Sequence, residues 1–319
     1  MSSPKLAIVV PCYNEEAVLE ETVRRLTPLL EEMSSSQGLV SSDSYILLVN
    51  DGSSDSTWSI IQRLFSENKF VCGVNLAGNV GHQNALMAGM ETAKDHCDIL
   101  VSIDADLQDD IHAIPEMVKK FSEGNDIVYG VRKNRDTDTW FKRTTALAFY
   151  KLMKFLGVKS VYNHADFRLM SKRAVEQLCR YREKNLFLRG IVPIIGYRSA
   201  CVFYDRSERF AGESKYPLGK MLSFAIDGIT SFSVKPVRFI FSAGLFFLLI
   251  ALGIFVYIII SLVSGTTVSG WTSLILSLWF IGGCGMLGIG IIGEYIGKIY
   301  LEVKDRPRYI IESTLLKQE

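Results

Sequence analysis

Four aspartates fall within seven residues in the stretch SIDADLQDD, Ser102–Asp110. They follow the apolar run Ile99-Leu100-Val101, which reads as the end of a buried strand. Carboxylates this close repel one another, so something positive must offset them. Asp104-Ala105-Asp106 places two carboxylates one residue apart, on one face of a strand or converging in the turn beyond it. Hard divalent cations such as Mg2+ or Mn2+ take oxygen ligands, often one or two carboxylates plus substrate phosphates. A cation held there would clamp a pyrophosphate and neutralise charge on a departing phosphate. An Asp-x-Asp pair alone is weak, because loops contain it by chance. Asp109 and Asp110 read instead as the start of the next turn, capping the helix near Pro115.

Two other strand-like runs end in similar chemistry. The first ends in PCYNEE (11–16) and the second in NDGSSD (50–55). Asp55 also reads as a helix cap. A cap does not explain why three strand ends share the pattern. Apolar runs at 6–10, 45–50, 70–75, 99–103 and 127–130 alternate with helical stretches such as 15–33 and 83–94. This order predicts βαβ units in an α/β fold with a mainly parallel sheet. Ligands of such folds collect at the carboxyl ends of the strands, where all three motifs lie.

The chain has 319 residues, and 35 Lys and Arg nearly balance 34 Asp and Glu. That balance argues against nucleic acid as a partner. Its hydrophobicity is uneven: residues 239–293 contain no Asp, Glu, Lys, Arg or His. Two apolar segments, about 239–263 and 272–297, flank the turn SGTTVSGW and are each long enough to cross a bilayer core of roughly 30 Å. The alternative is a buried helical hairpin in a soluble core. Lys235 and Arg238 precede the first segment, and Lys298, Lys304, Arg306 and Arg308 follow the second. The positive-inside rule then places both termini in the cytoplasm of a multi-pass inner-membrane protein. The expected organisation is a catalytic domain over 1–216, a juxtamembrane segment over 217–238, the spans over 239–297 and a cytoplasmic tail over 298–319. The six cysteines are scattered without CxxC or Cys/His spacing, so neither zinc nor a disulfide framework is indicated. Glycines at 282, 283, 285, 288, 290, 293 and 297 permit close helix contact within a chain or between chains, which leaves a homo-oligomer open.

Taken in order, PCYNEE, NDGSSD, DADLQDD, DFRLMS, RFAGESKY and the two apolar segments resemble the inverting family 2 glycosyltransferases of GT-A fold. The whole chain is similar to the polyprenyl-phosphate glycosyltransferases, which resemble dolichol-phosphate-mannose synthase, and especially to the bacterial undecaprenyl-phosphate (bactoprenol) glucosyltransferases. The resemblance implies that Pro11, Tyr13, Asn14 and Glu15 hold the base and ribose of a nucleotide-sugar donor, with Asp51 at the base or ribose edge. It implies Asp104 and Asp106 at the diphosphate and metal, with Gln108 beside them. Gly81 to Asn84, including Gln83, would line the donor site where a helix N-terminus favours phosphate; a glycine turn with a helix cap is the plain alternative. Asp166 in HADFRLMS matches the position of the superfamily's catalytic base. A lipid monophosphate is already a nucleophile, largely dianionic above about pH 6, so Asp166 reads equally as a positioning group.

An anionic acceptor needs cations, and Arg132, Arg135, Arg209, Ser214 and Lys215 are the candidates to hold the polyprenyl phosphate. For any one of the charged residues, a solvated surface position is the plain reading. The implied reaction passes a hexose, glucose first, from a UDP-sugar to undecaprenyl phosphate; UDP-N-acetylglucosamine and GDP-mannose are the alternative donors. A processive polysaccharide synthase would add membrane spans and a Gln-x-x-Arg-Trp motif, which this chain lacks; Arg189-Gly190 stands where that pair would be sought. A nucleotidyltransferase would need a glycine-rich, lysine-bearing N-terminal loop. A non-catalytic membrane scaffold would have no use for Asp51, Asp104, Asp106 and Asp166 together.

Overall fold

The computed structural model describes residues 3–132, 164–184, 186–205, 235–264 and 270–317. Its centre is β1 (Leu6–Cys12), a strand buried along its whole length. Leu6, Ile8 and Val10 face one apolar layer while Ala7 and Val9 face the other, as a two-residue period requires in a strand covered on both sides. On one side of β1 lie β2 (Tyr45–Asn50) and β3 (Val71–Leu76), both parallel to it; on the other lies β4 (Ile99–Ser102), also parallel. Helices α1 (Leu19–Glu31), α2 (Thr57–Glu67) and α3 (His82–Ala93) make the crossovers. Leu19, Val23, Leu26 and Leu30 form the buried stripe of α1. Gly89 lets α3 lie close on the sheet, because a Cβ there would stand 2.5 Å from Val9 Cγ1.

The mainly parallel α/β sheet expected from the sequence is present, with two antiparallel members. After α4 (Ile114–Ser122) come β5 (Ile127–Arg132), β6 (His164–Ser171), α5 (Lys172–Arg180), α6 (Leu188–Ile194) and β7 (Ser199–Tyr204). Strand β6 inserts antiparallel between β4 and β5, and β7 runs parallel along the far side of β5. The full order is β7-β5-β6-β4-β1-β2-β3-β8. Residues 133–163 lie outside the described residues, as does most of the juxtamembrane segment expected over 217–238.

Helices α7 (Lys235–Val263) and α8 (Trp271–Val303) follow. They pack antiparallel: the rings of Phe247 and Phe280 meet edge to face at 6.1 Å, and Ile240 lies against Gly288. Among the described residues one stretch, Phe280–Val303, is long and apolar enough to cross a membrane by length and composition. Part of the segment expected as a tail over 298–319 joins the sheet. Residues Ile311–Leu315 form β8, which pairs antiparallel with β3 at the sheet edge. Glu302 Oε1 also accepts from Lys184 N–H (2.6 Å) and Lys184 Nζ pairs with Asp305 (2.9 Å), so the end of α8 is tied to the same domain.

Candidate active site

Strands β2 and β3 lie on one side of β1 and β4 on the other, so the chain reverses its direction of winding between β1 and β4. Side chains at the carboxyl ends of these two strands meet in the crevice where such folds bind ligands. The loop after β1 is stitched to the loop after β2. Asn14 N–H donates to Ser53 Oγ (3.0 Å), Ser54 N–H donates to Asn14 Oδ1 (2.9 Å), and Glu15 N–H donates to Thr57 Oγ1 (3.0 Å). These bonds hold Asn14 at φ 54°, a left-handed conformation that costs most side chains energy. Leu107, directly after Asp106, is held at φ 57°. Left-handed non-glycine residues at two cleft loops indicate positions fixed by their surroundings.

Asp51 joins the second loop to a third: Oδ1 accepts from Val80 N–H (2.8 Å) and Oδ2 from Gly81 N–H (3.0 Å). Burial raises its pKa, opposed by these two bonds. The next residue, Gly52, has φ 59°, and a Cβ there would stand 2.5 Å from backbone atoms of Gly78 and Asn79. Gly52→Ala is therefore expected to cost about 2–4 kcal/mol, from the left-handed backbone and from forcing two loops apart. That predicts a Tm lower by roughly 5–10 °C. An unchanged melt would show that the loops separate without cost.

A cleft of about 520 Å3 opens above these loops. Pro11, Tyr13, Glu15, Asp51, Gly81, Asp104, Asp106 and Asp166 line it, together with His82 and Arg189. The Tyr13 ring is half exposed at this cleft. Asn14 acts through the loop stitching just described. Gln83 serves another purpose: its Oε1 accepts from Leu188 N–H (2.8 Å), so it supports the start of α6. Gln108 N–H donates to Asp106 Oδ1 (3.2 Å). A second cavity of similar size lies at the opposite end of the strands, among Lys5, Tyr45 and Lys317, away from these carboxylates.

Asp104 is pushed up to about 6, first by burial and then by the charges of Asp166, Asp109 and Asp106, with His82 opposing. His82 Nε2 lies 3.4 Å from Asp104 Oδ1 and 4.0 Å from Asp166 Oδ2. Asp166 has the opposite character. Burial alone would raise its pKa, but the guanidiniums of Arg189 and Arg168 outweigh burial and hold the carboxyl well below the usual range. Arg168 Nη2 donates to Asp166 Oδ1 (2.6 Å) and Arg189 Nη2 to Oδ2 (3.0 Å). Arg168 is fully buried in β6, whereas Arg189 in the first turn of α6 reaches the cleft. In the sequence Arg189 drew notice only in Arg189-Gly190, where a polysaccharide synthase's Arg-Trp pair would be sought, and not as a residue of this site.

Arg132 sits at the end of β5 in a different cluster. Tyr204 Oη donates to Asp109 Oδ1 (2.5 Å), and Arg132 Nη2 lies 3.6 Å from the same oxygen. Asp109 is therefore a buried partner of Arg132 and Tyr204, not part of a cap. Asp110 does cap, accepting from His112 N–H (3.0 Å). Arg135, Arg209, Ser214 and Lys215 lie outside the described residues.

Asp104 and Asp106 suit a hard divalent cation in donor type. Among the described residues no group of three His, Cys, Asp or Glu side chains forms a complete ligand set. Two carboxylates supplemented by phosphate oxygens is the set that Mg2+ and Mn2+ accept at nucleotide sites.

The family described as Glycosyl transferase family 2 matches residues 7–179, from β1 to the end of α5. The chain is 57% identical over 320 residues to YkoT of Bacillus subtilis, an uncharacterized glycosyltransferase, covering 100% of this chain and 94% of that protein. It is 41% identical over 318 residues to the SfII prophage-derived bactoprenol glucosyl transferase of Shigella flexneri, covering 97% and 98%. Among solved structures, glucosyl-3-phosphoglycerate synthase of Mycobacterium tuberculosis superposes with TM-score 0.49 at 20% identity, covering 72% of this chain and 78% of that one. With a family match over more than half its length and relatives aligned nearly end to end, this chain belongs to glycosyl transferase family 2 and is a glycosyltransferase.

Proposed function

We propose that the enzyme transfers glucose from UDP-glucose to undecaprenyl phosphate, releasing UDP. The observation that carries this reading is Asp166, locked between Arg168 and Arg189. A carboxylate so engaged is a poor proton acceptor, and a phosphate monoester needs none. Its oxygen attacks the anomeric carbon, the bond from that carbon to the UDP β-phosphate oxygen breaks, and the electron pair leaves on UDP. A single displacement inverts the anomeric centre. Holding both reactants in line supplies much of the rate, on the order of 7–11 kcal/mol for well-oriented pairs.

Tyr13, half exposed at the cleft, offers an aromatic face to the uracil, with Pro11 and Glu15 beside it and Asp51 fixing the wall. Asp104 and Asp106 would hold Mg2+ or Mn2+, which supplies positive charge beside the diphosphate. Arg189 is the described cation best placed for the acceptor phosphate, and Arg132 is held nearer the edge by Asp109 and Tyr204. The glucose assignment rests on the named bactoprenol glucosyl transferases, aligned over nearly their full length.

The same reading places α7 and α8 across the membrane as a pair, with the catalytic domain and the tail in the cytoplasm. Its support is topological. Strand β8 belongs to the catalytic sheet, so the chain must leave and return on one side and cross an even number of times. Exposed apolar side chains such as Phe239, Phe246, Leu278 and Ile289 lie along both helices.

Purified protein in detergent with undecaprenyl phosphate and Mn2+ should move label into lipid from UDP-[14C]glucose. UDP-N-acetylglucosamine and GDP-mannose serve as competing arms. Label from another donor alone would change the sugar, and label from none would overturn the reading.

A further inference from the structure

The structure assigns a donor-site positioning role to Glu312, in the strand that returns from the membrane helices. Glu312 is 237 residues from Asn75 in sequence, yet Asn75 Nδ2 donates to Glu312 Oε2 (2.6 Å). Asn50 Nδ2 in turn donates to Asn75 Oδ1 (2.7 Å), and Ser53 N–H donates to Asn50 Oδ1 (3.3 Å). Ser53 Oγ then accepts from Asn14 N–H, which ends the chain in the loop that presents Tyr13. Asn50 and Asn75 are buried and paired in register on β2 and β3.

The direction of this chain is set at its far end. A carboxylate only accepts hydrogen bonds, so Asn75 must turn its NH2 toward Glu312 and its oxygen toward Asn50. Asn50 must then turn its own NH2 toward Asn75, leaving its oxygen for Ser53 N–H. Two buried amides, each able to point either way, are thereby given one orientation. The loops bearing Asn14, Ser53 and Asp51 inherit it. Glu312 stands at the register shift between β8 and β3, opposite the carboxyl end of β3, which suits this task better than general strand pairing.

This inference rests on the reading of Tyr13 and Asp51 as nucleotide-binding, and its test separates the two. Binding of UDP with Mn2+ to the full-length protein in detergent is measured by calorimetry for wild type, Glu312→Ala, Glu312→Lys, Glu312→Gln and the same-strand control Ser313→Ala. Glu312→Ala is expected to raise the UDP Kd about fivefold, the value of one good hydrogen bond. Glu312→Lys, a pure donor that drives the amides the other way, should raise it further. Glu312→Gln can still accept and should restore most of the affinity, and Ser313→Ala should bind as wild type does. Wild-type affinity in the Ala and Lys variants would overturn the role. So would equal weakening in Ser313→Ala, because strand docking alone would then explain the loss. No UDP binding by wild type would remove the donor-site reading, and this inference with it.

Discussion

Asp106→Asn is expected to lower glycosyl transfer by at least two to three powers of ten, the scale on which removing one preorganised electrostatic group acts. Among the described residues that line the cleft, only Asp104 and Asp106 offer a pair of carboxylates one residue apart, and Asp104 does so at a cost. Burial and the neighbouring carboxylates push its pKa up to about 6, so near neutrality it is held less firmly ionised than an exposed aspartate. A divalent cation reverses that preference by favouring both ionised forms. The variant should retain its fold, because Asp106 lies on the wall of the cleft and its bond from Gln108 N–H stays within its own turn. Transfer by wild type should likewise vanish in excess EDTA and return with Mn2+. Full transfer by Asp106→Asn, at an unshifted Mn2+ requirement, would take Asp106 out of the metal site.

The parts of this site that could be read from sequence are those made by local chemistry. The first five strands were legible because each is an apolar run bounded by turn residues; β1, for example, was expected over 6–10 and extends to Cys12. Asp104 and Asp106 were legible because a strand end presents neighbouring carboxylates together whatever the rest of the fold does. What remained hidden depends on long-range pairing. Asp109 and Asp110 look alike in the sequence, yet one meets Tyr204 across 95 positions while the other caps its own turn. IESTL has little apolar content to mark it as a strand, and its partner β3 lies more than 200 residues earlier. Gln83 stood on the right helix, but which face it turned to Leu188 depended on where α6 would dock.

Arg189 carries the same lesson into mechanism, and Arg189→Ala is expected to raise the acceptor KM or lower kcat by about 100-fold. Its guanidinium faces the cleft while bound to Asp166, a geometry that presents a cation to a phosphate without letting it swing away. Asp166→Asn should be damaging for a different reason. It would leave the fully buried Arg168 without its charge partner, at a cost of about 3–5 kcal/mol in stability. Loss of activity in that variant therefore does not identify a base. The pH profile does. Asp166 is held well below the usual carboxyl range, so it stays ionised throughout the range in which the protein can be assayed. A fall in transfer toward acid should instead follow the second ionisation of the acceptor phosphate, near pH 6. A synthetic acceptor whose phosphate ionises at a lower pH should move that limb with it. If the limb stays fixed while Arg189→Ala keeps wild-type kcat and KM, Arg189 is not the phosphate clamp and Asp166 has to be reconsidered as the group that takes a proton.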